Sequence, residues 1–101
     1  MPAAYLIVES NISDPEKFKA YMAAAPAVVK AFAGEYLVRG GRMVVLEGDW
    51  TPPRLTVLRY PSFDAAQKMY DSPAYRAARE LRVGATACFN MVLVEGVADP
   101  V

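Results

Sequence analysis

The sequence predicts an α+β fold, one antiparallel sheet with helices on a single face. Three observations predict it. Runs of strand-forming residues alternate with two capped segments of helical spacing, in the order strand, helix, strand, strand, helix, strand. Both halves carry the same strand–capped helix–strand pattern, the split βαβ arrangement of ferredoxin-like domains. The length, 101 residues, is that of a single domain, 1–101, able to bury a core without metals or disulfides.

Residues 4–9, Ala-Tyr-Leu-Ile-Val-Glu, are apolar in both parities: Tyr5 and Ile7 point one way, Leu6 and Val8 the other. A first helix follows. Ser13 with Glu16 has capping-box spacing, and Asp14 before Pro15 is the alternative cap. Phe18, Tyr21, Met22, Ala25, Val28, Val29 and Phe32 then recur on one face. Pro26 removes the bond to the Met22 carbonyl and predicts a kink, beyond which the apolar stripe keeps phase. Gly34 is the expected left-handed stop.

Glu35 to Trp50 comes next. Gly40-Gly41 between two apolar runs signals a two-residue hairpin or a glycine bulge, with 35–39 and 42–47 extended in either case. Residues 48–53, Gly-Asp-Trp-Thr-Pro-Pro, read as a rigid loop. Leu55 to Tyr60 is a strand apolar on both sides. Ser62 caps a helix from Phe63, and Ser72-Pro73 restarts a second segment carrying Tyr75, Ala78, Leu81 and Ala85. Phe89 to Glu95 is the last strand, and a short mobile tail is expected after it. Two helices cover one face of such a sheet, yet three strands are apolar on both. A second copy packed sheet to sheet is therefore expected on the bare side.

Acids and bases balance at 11 each, which disfavours nucleic acid or an anionic membrane as partner. The chain has no histidine, so His-ligated metals and Ser-His-Asp triads are excluded, and no cofactor is expected. The single Cys88 reads as a buried small hydrophobe. No apolar run reaches the length of a membrane span, and the N-terminus resembles no leader, so a cytoplasmic location is expected.

The candidate ligand-binding residues are Tyr5, Arg39, Glu47, Trp50, Tyr70 and Tyr75. Arg39 could clamp a carboxylate through two parallel bonds, or pair with a local acid such as Glu47. Glu47 beside Trp50 could be a pocket wall with a raised carboxyl pKa, or a turn that anchors an indole on the core. Tyr70 and Tyr75 flank the helix break and could line a cleft or be core. Tyr5 faces either the helices or the bare side. Arg76, Arg79 and Arg82 form a loose stripe read as a solvated face, with Glu80 partnering Arg76.

Several phrases resemble one family: Tyr36-Leu37-Val38-Arg39-Gly40-Gly41, Leu46-Glu47-Gly48-Asp49-Trp50 with Pro53-Arg54, Asp71-Ser72-Pro73-Ala74-Tyr75, and Val92-Leu93-Val94-Glu95-Gly96. They resemble the bacterial family known as domain of unknown function 1330, over Tyr5 to Gly96. The resemblance implies a dimeric α/β barrel, two ferredoxin-like subunits joined through their sheets. Relatives at that level include cofactor-independent monooxygenases of the antibiotic-biosynthesis type, muconolactone isomerase and chlorite dismutase. The chain departs from the family at Ala87-Cys88-Phe89-Asn90, where a more polar segment is expected.

The function expected from these readings is a homodimer that binds or transforms a small acidic or aromatic metabolite without metal. The alternative is a non-catalytic dimerisation or regulatory module. An RNA-binding role is disfavoured because Leu55–Tyr60 lacks the aromatic-rich platform on which bases stack.

Overall fold

The computed structural model describes residues 2–98. Its elements are β1 (Ala4–Ile12), α1 (Pro15–Ala31), β2 (Glu35–Arg39), β3 (Leu55–Tyr60), α2 (Phe63–Asp71), α3 (Pro73–Glu80) and β4 (Thr86–Glu95). The strands form one antiparallel sheet in the order β2-β3-β1-β4. This is the ferredoxin-like arrangement, with all three helices on one face.

Parity explains the two faces. Ala4, Leu6, Val8 and Ser10 of β1 are buried under the helices, and their register partners Tyr60, Leu58, Leu93 and Met91 point the same way. The opposite parity holds Tyr5, Ile7 and Glu9, paired with Arg59, Val57, Val94 and Val92. Among the described residues no helix packs on this second face, and Val92 is 60% exposed.

For α1 the cap is Asp14, the alternative to the Ser13–Glu16 capping box, and Ser62 and Ser72 cap as expected. Asp14 Oδ1 accepts from the Lys17 amide at 3.1 Å. Ser62 Oγ accepts from Ala65, and Ser72 Oγ accepts from Tyr75 while donating to the Met69 carbonyl. Helix α1 runs through Pro26 as expected. Its left-handed residue, however, is Ala33 (φ 62°), not Gly34. The Ala33 and Gly34 amides close the helix on Lys30 and Val29. Gly34 serves a different need: a Cβ there would lie 2.5 Å from the buried Tyr60 ring and 2.8 Å from Val29.

Three further expectations are corrected. Residues 42–47 are not a strand: β2 pairs with β3, Glu35 with Arg59 and Arg39 with Thr56, and 42–47 joins no strand of the sheet. A register shift does occur in β2, but between Tyr36 and Val38 instead of at the glycine pair. Gly40, at φ 68°, donates its amide to the Leu55 carbonyl and closes that end of the sheet. The chain then leaves as a long arm and returns at Arg54. Its protrusion shows in the radius of gyration, 14.1 Å against about 13 Å for a compact chain of this length.

The arginine stripe is solvated only in part: Arg76 is exposed as expected, whereas Arg79 and Arg82 turn onto aromatic rings. Arg79 donates to the Tyr70 hydroxyl at 2.7 Å, and the Arg82 guanidinium lies 3.7 Å over the Phe89 ring. Flat guanidinium groups gain from both contacts. Cys88 is half-buried, since β4 is an edge strand there. Of the expected tail, Val97 and Ala98 pair with no strand, and the rest lies outside the described residues. No helix among the described residues is long and apolar enough to cross a membrane.

Candidate functional site

Helix α1 leans on α3 and brings few residues close to the sheet. A small cavity of about 50 Å³ opens between them. Its floor is Leu6, Val8 and Leu58; its roof is Phe18, Met22, Ala25 and Val29 of α1 with Met69 and Tyr75. The more exposed end carries Tyr36, Arg39 and Arg54.

Four tyrosines turn their rings inward. The Tyr21 and Tyr75 hydroxyls are 2.8 Å apart, so one donates to the other and one hydrogen remains to give. Among the described residues the buried Tyr60 hydroxyl has no hydrogen-bond partner. Tyr36 lines the open end, with the Arg39 guanidinium 4.6 Å from its ring centre. Burial pushes the Tyr21, Tyr36 and Tyr60 hydroxyls above the ordinary phenol range. Neighbouring phenols push the same way at Tyr21 and Tyr60, while Arg82 opposes the shift at Tyr21 and Arg39 does so at Tyr36. At neutral pH these groups are therefore donors, not bases.

The two arginines are placed by backbone features. Pro26 has no N–H to give the Met22 carbonyl, and Arg39 Nη2 donates to that carbonyl at 3.1 Å. A break in one helix thus holds a cation at the cavity's end. Arg54 packs so closely on Gly40 that a Cβ there would lie 2.7 Å from its Nε. Among the described residues neither arginine has a carboxylate within 4.0 Å, because the two ion pairs are Lys19–Glu16 and Arg59–Glu35. No acid lines the cavity. Its donors outnumber its acceptors, and what would satisfy them is an anion.

Of the residues singled out in the sequence, Arg39 and Tyr75 meet in this cavity. Tyr70 lies behind it, its ring 5.5 Å from that of Tyr75 and its hydroxyl held by Arg79. Tyr5 is on the bare face of the sheet, beside Gly96. Glu47 and Trp50 line a wide, open concavity along the arm. The Trp50 indole N–H donates to Glu9 at 3.1 Å, and Glu9 also accepts from Asn90. Sequence reasoning missed Tyr21, Tyr36, Tyr60 and Arg54. Their shared signal was weak: polar tips on positions whose helical spacing or strand parity already pointed to the core. Among the described residues no group of three His, Cys, Asp or Glu side chains is gathered as a metal would need.

Residues 3–97 match the family model described as domain of unknown function (DUF1330). The chain is also similar to solved structures. A protein of unknown function from Rhodopseudomonas palustris aligns at TM-score 0.73 and 19% identity, over 97% of this chain and 85% of that one. A dimeric ferredoxin-like protein of unknown function from Thermobifida fusca aligns at 0.62 and 16%, over 94% and 92%. A candidate antibiotic biosynthesis monooxygenase from Nitrosomonas europaea aligns at 0.58 and 17%, over 95% and 91%. At these identities the likeness is one of fold. No curated protein matches the chain.

Proposed function

The chain belongs to the DUF1330 family, and we propose that it is a cytoplasmic homodimer that binds a small carboxylate with a planar or aromatic body in the cavity between sheet and helices. One observation carries this reading. Among the described residues Arg39 and Arg54 have no acid partner and the buried Tyr60 hydroxyl has no hydrogen-bond partner, and all three border an apolar cavity that no acidic side chain lines. A buried polar group left unpaired costs about 1–3 kcal/mol, a cost that a ligand oxygen would remove. A guanidinium matches a carboxylate geometrically, and the tyrosine rings suit a flat apolar body. The dimer reading rests on the bare apolar sheet face and on the dimeric state of similar proteins from Thermobifida fusca and other sources.

The same geometry limits the chemistry. With the Tyr21, Tyr36 and Tyr60 phenols held protonated and no acid or histidine lining it, the cavity presents donors and no strong base. It could stabilise an enolate or other oxyanion that forms on a substrate, through Tyr60 and the arginines. Binding is the primary role in this reading. A purely structural dimerisation module would have no use for the orphaned donors.

The test is thermal unfolding with benzoate and 4-hydroxybenzoate, each against its neutral amide. The carboxylates are expected to raise Tm by several degrees at saturating concentration, since a ligand at a hundredfold its Kd adds about 2.7 kcal/mol. The amides are expected to do nothing. Arg54→Met and Tyr60→Phe should each remove most of the shift. Equal shifts from acid and amide, or shifts that survive both substitutions, refute the reading.

A further inference from the structure

Arg82 is a third arginine near the cavity, and among the described residues it too has no carboxylate within 4.0 Å. It sits in the turn after α3, where its amide bonds the Arg79 carbonyl and its own carbonyl accepts from the Ala85 amide at 2.9 Å. The Ala85 carbonyl in turn accepts from the Ser13 and Asp14 amides, which ties this turn to the start of α1. The side chain is held as firmly as the backbone. Its guanidinium lies 3.7 Å from the Phe89 ring centre and 5.3 Å from that of Tyr21. Its Nε is buried and has no hydrogen-bond partner among the described residues. Phe89 and Tyr21 are both cavity walls, so Arg82 backs the β4 side of the space. Arg54 stands on the other side. Its carbonyl accepts from the Ser10 amide, and Ser10 pairs with Phe89 across β1 and β4. Two strand spacings, about 10 Å, therefore separate the Arg54 and Phe89 backbones.

The Tyr21 and Tyr75 hydroxyls, 2.8 Å apart, can point their hydrogens in either direction along their shared bond. Arg82 removes that ambiguity. A guanidinium offers hydrogens and no lone pair, so beside Tyr21 it favours that oxygen as an acceptor. Its charge also opposes the effect of burial on the Tyr21 hydroxyl. Tyr21 then donates to Tyr75, and the Tyr75 hydrogen is left for the cavity. A donor chain that begins at a cation is polarised along its length and binds an anion more strongly. We propose that Arg82 is a positioning residue that turns the Tyr21 hydrogen onto Tyr75, making the Tyr75 hydroxyl a second anchor for a short dicarboxylate whose first carboxylate lies at Arg39 and Arg54. Cations on both sides and no acid lining the space between them suit a ligand charged at both ends. This inference rests on the carboxylate-binding reading and narrows its ligand class.

The test is calorimetric titration with fumarate and crotonate, planar acids of equal chain length that differ in the second carboxylate. The wild type is expected to bind fumarate at least about tenfold more tightly, the effect of one hydrogen bond to a charged group. Arg82→Met keeps an apolar stem over Phe89, and Tyr75→Phe keeps the ring; circular dichroism confirms the fold of each. Either change is expected to abolish the preference for fumarate, and Arg82→Lys, which keeps the charge, to retain part of it. A merely structural Arg82 would weaken both acids alike and leave the preference intact, which overturns the proposal. Equal affinity of the wild type for the two acids overturns the second anchor and leaves the carboxylate reading standing. So does binding of neither acid while benzoate still raises Tm. No response to any of the three refutes both.

Discussion

Tyr60 is the residue on which stability and function pull in opposite directions. Its ring is fully buried, its hydroxyl has no partner, and Gly34 is kept bare to make room for it. Tyr60→Phe is expected to raise the ligand-free protein's stability by about 1 kcal/mol, a Tm gain of about 4–8 °C, while weakening carboxylate binding. A calorimetric scan showing lower Tm would mean that the hydroxyl has a partner after all. Gly34→Ala is expected to cost about 1–3 kcal/mol, since neither the Tyr60 ring nor Val29 has room to move. The buried phenols also predict a pH dependence. Tyr21, Tyr36 and Tyr60 are raised above their unfolded value, so the folded chain holds protons that the unfolded chain gives up. Their contribution is complete below the unfolded value of about 10 and is lost as pH rises through the folded ones, at up to about 1.4 kcal/mol per unit and group. The urea midpoint should hold steady from pH 7 to 9 and fall above 10, and Tyr21→Phe/Tyr60→Phe should flatten that fall. An equal slope in the double variant would contradict the burial assigned to these hydroxyls.

At the scale of elements, α1 links a helix defect to the cavity. The proline that removes a helical donor leaves the Met22 carbonyl free, and Arg39 reaches it from β2. Pro26→Ala would restore the helical bond and is expected to stabilise the fold by about 0.5–1.5 kcal/mol. The same change makes Arg39 compete for its anchor, so the Tm shift given by benzoate should shrink. A variant that is stabilised but keeps the full shift would separate the two effects and disprove the coupling. The caps at Asp14, Ser62 and Ser72, the break before Pro73 and the missing bond at Pro26 were all legible in the sequence, because each is a local matter of donors and φ angles. The arm was not. Met43–Leu46 has a strand's composition, and composition does not say which strand, or which chain, supplies the partner. The cavity was half legible. Arg39 and Tyr75 stood out by their setting beside glycines and a helix break, whereas Tyr21 and Tyr60 looked like ordinary core positions. Only the three-dimensional packing shows that α1 stands off the sheet and leaves their hydroxyls facing a space.

At the scale of the molecule, the protein is a two-layered slab of 41 × 38 × 17 Å whose second sheet face is apolar and bare. The face is centred on Ile7, Val57 and Val92, with Tyr5, Arg59 and Glu35 toward its border. An apolar centre ringed by polar groups is the anatomy of an interface core and rim. In a protein whose folded form is a dimer, unfolding also separates the subunits, and mass action then makes stability depend on concentration. The wild-type Tm is accordingly expected to rise by several degrees between 1 and 100 µM protein. Val57→Asp places a charge at the centre of the face without touching the helix side of the core. It should yield a folded chain with unchanged far-ultraviolet dichroism, a light-scattering mass near 11.0 kDa and a Tm independent of concentration. Burial of a lone carboxylate between two sheets costs several kcal/mol. A Val57→Asp protein that remains dimeric would show that the sheets do not face one another. The bare side would then need an occupant other than a second copy.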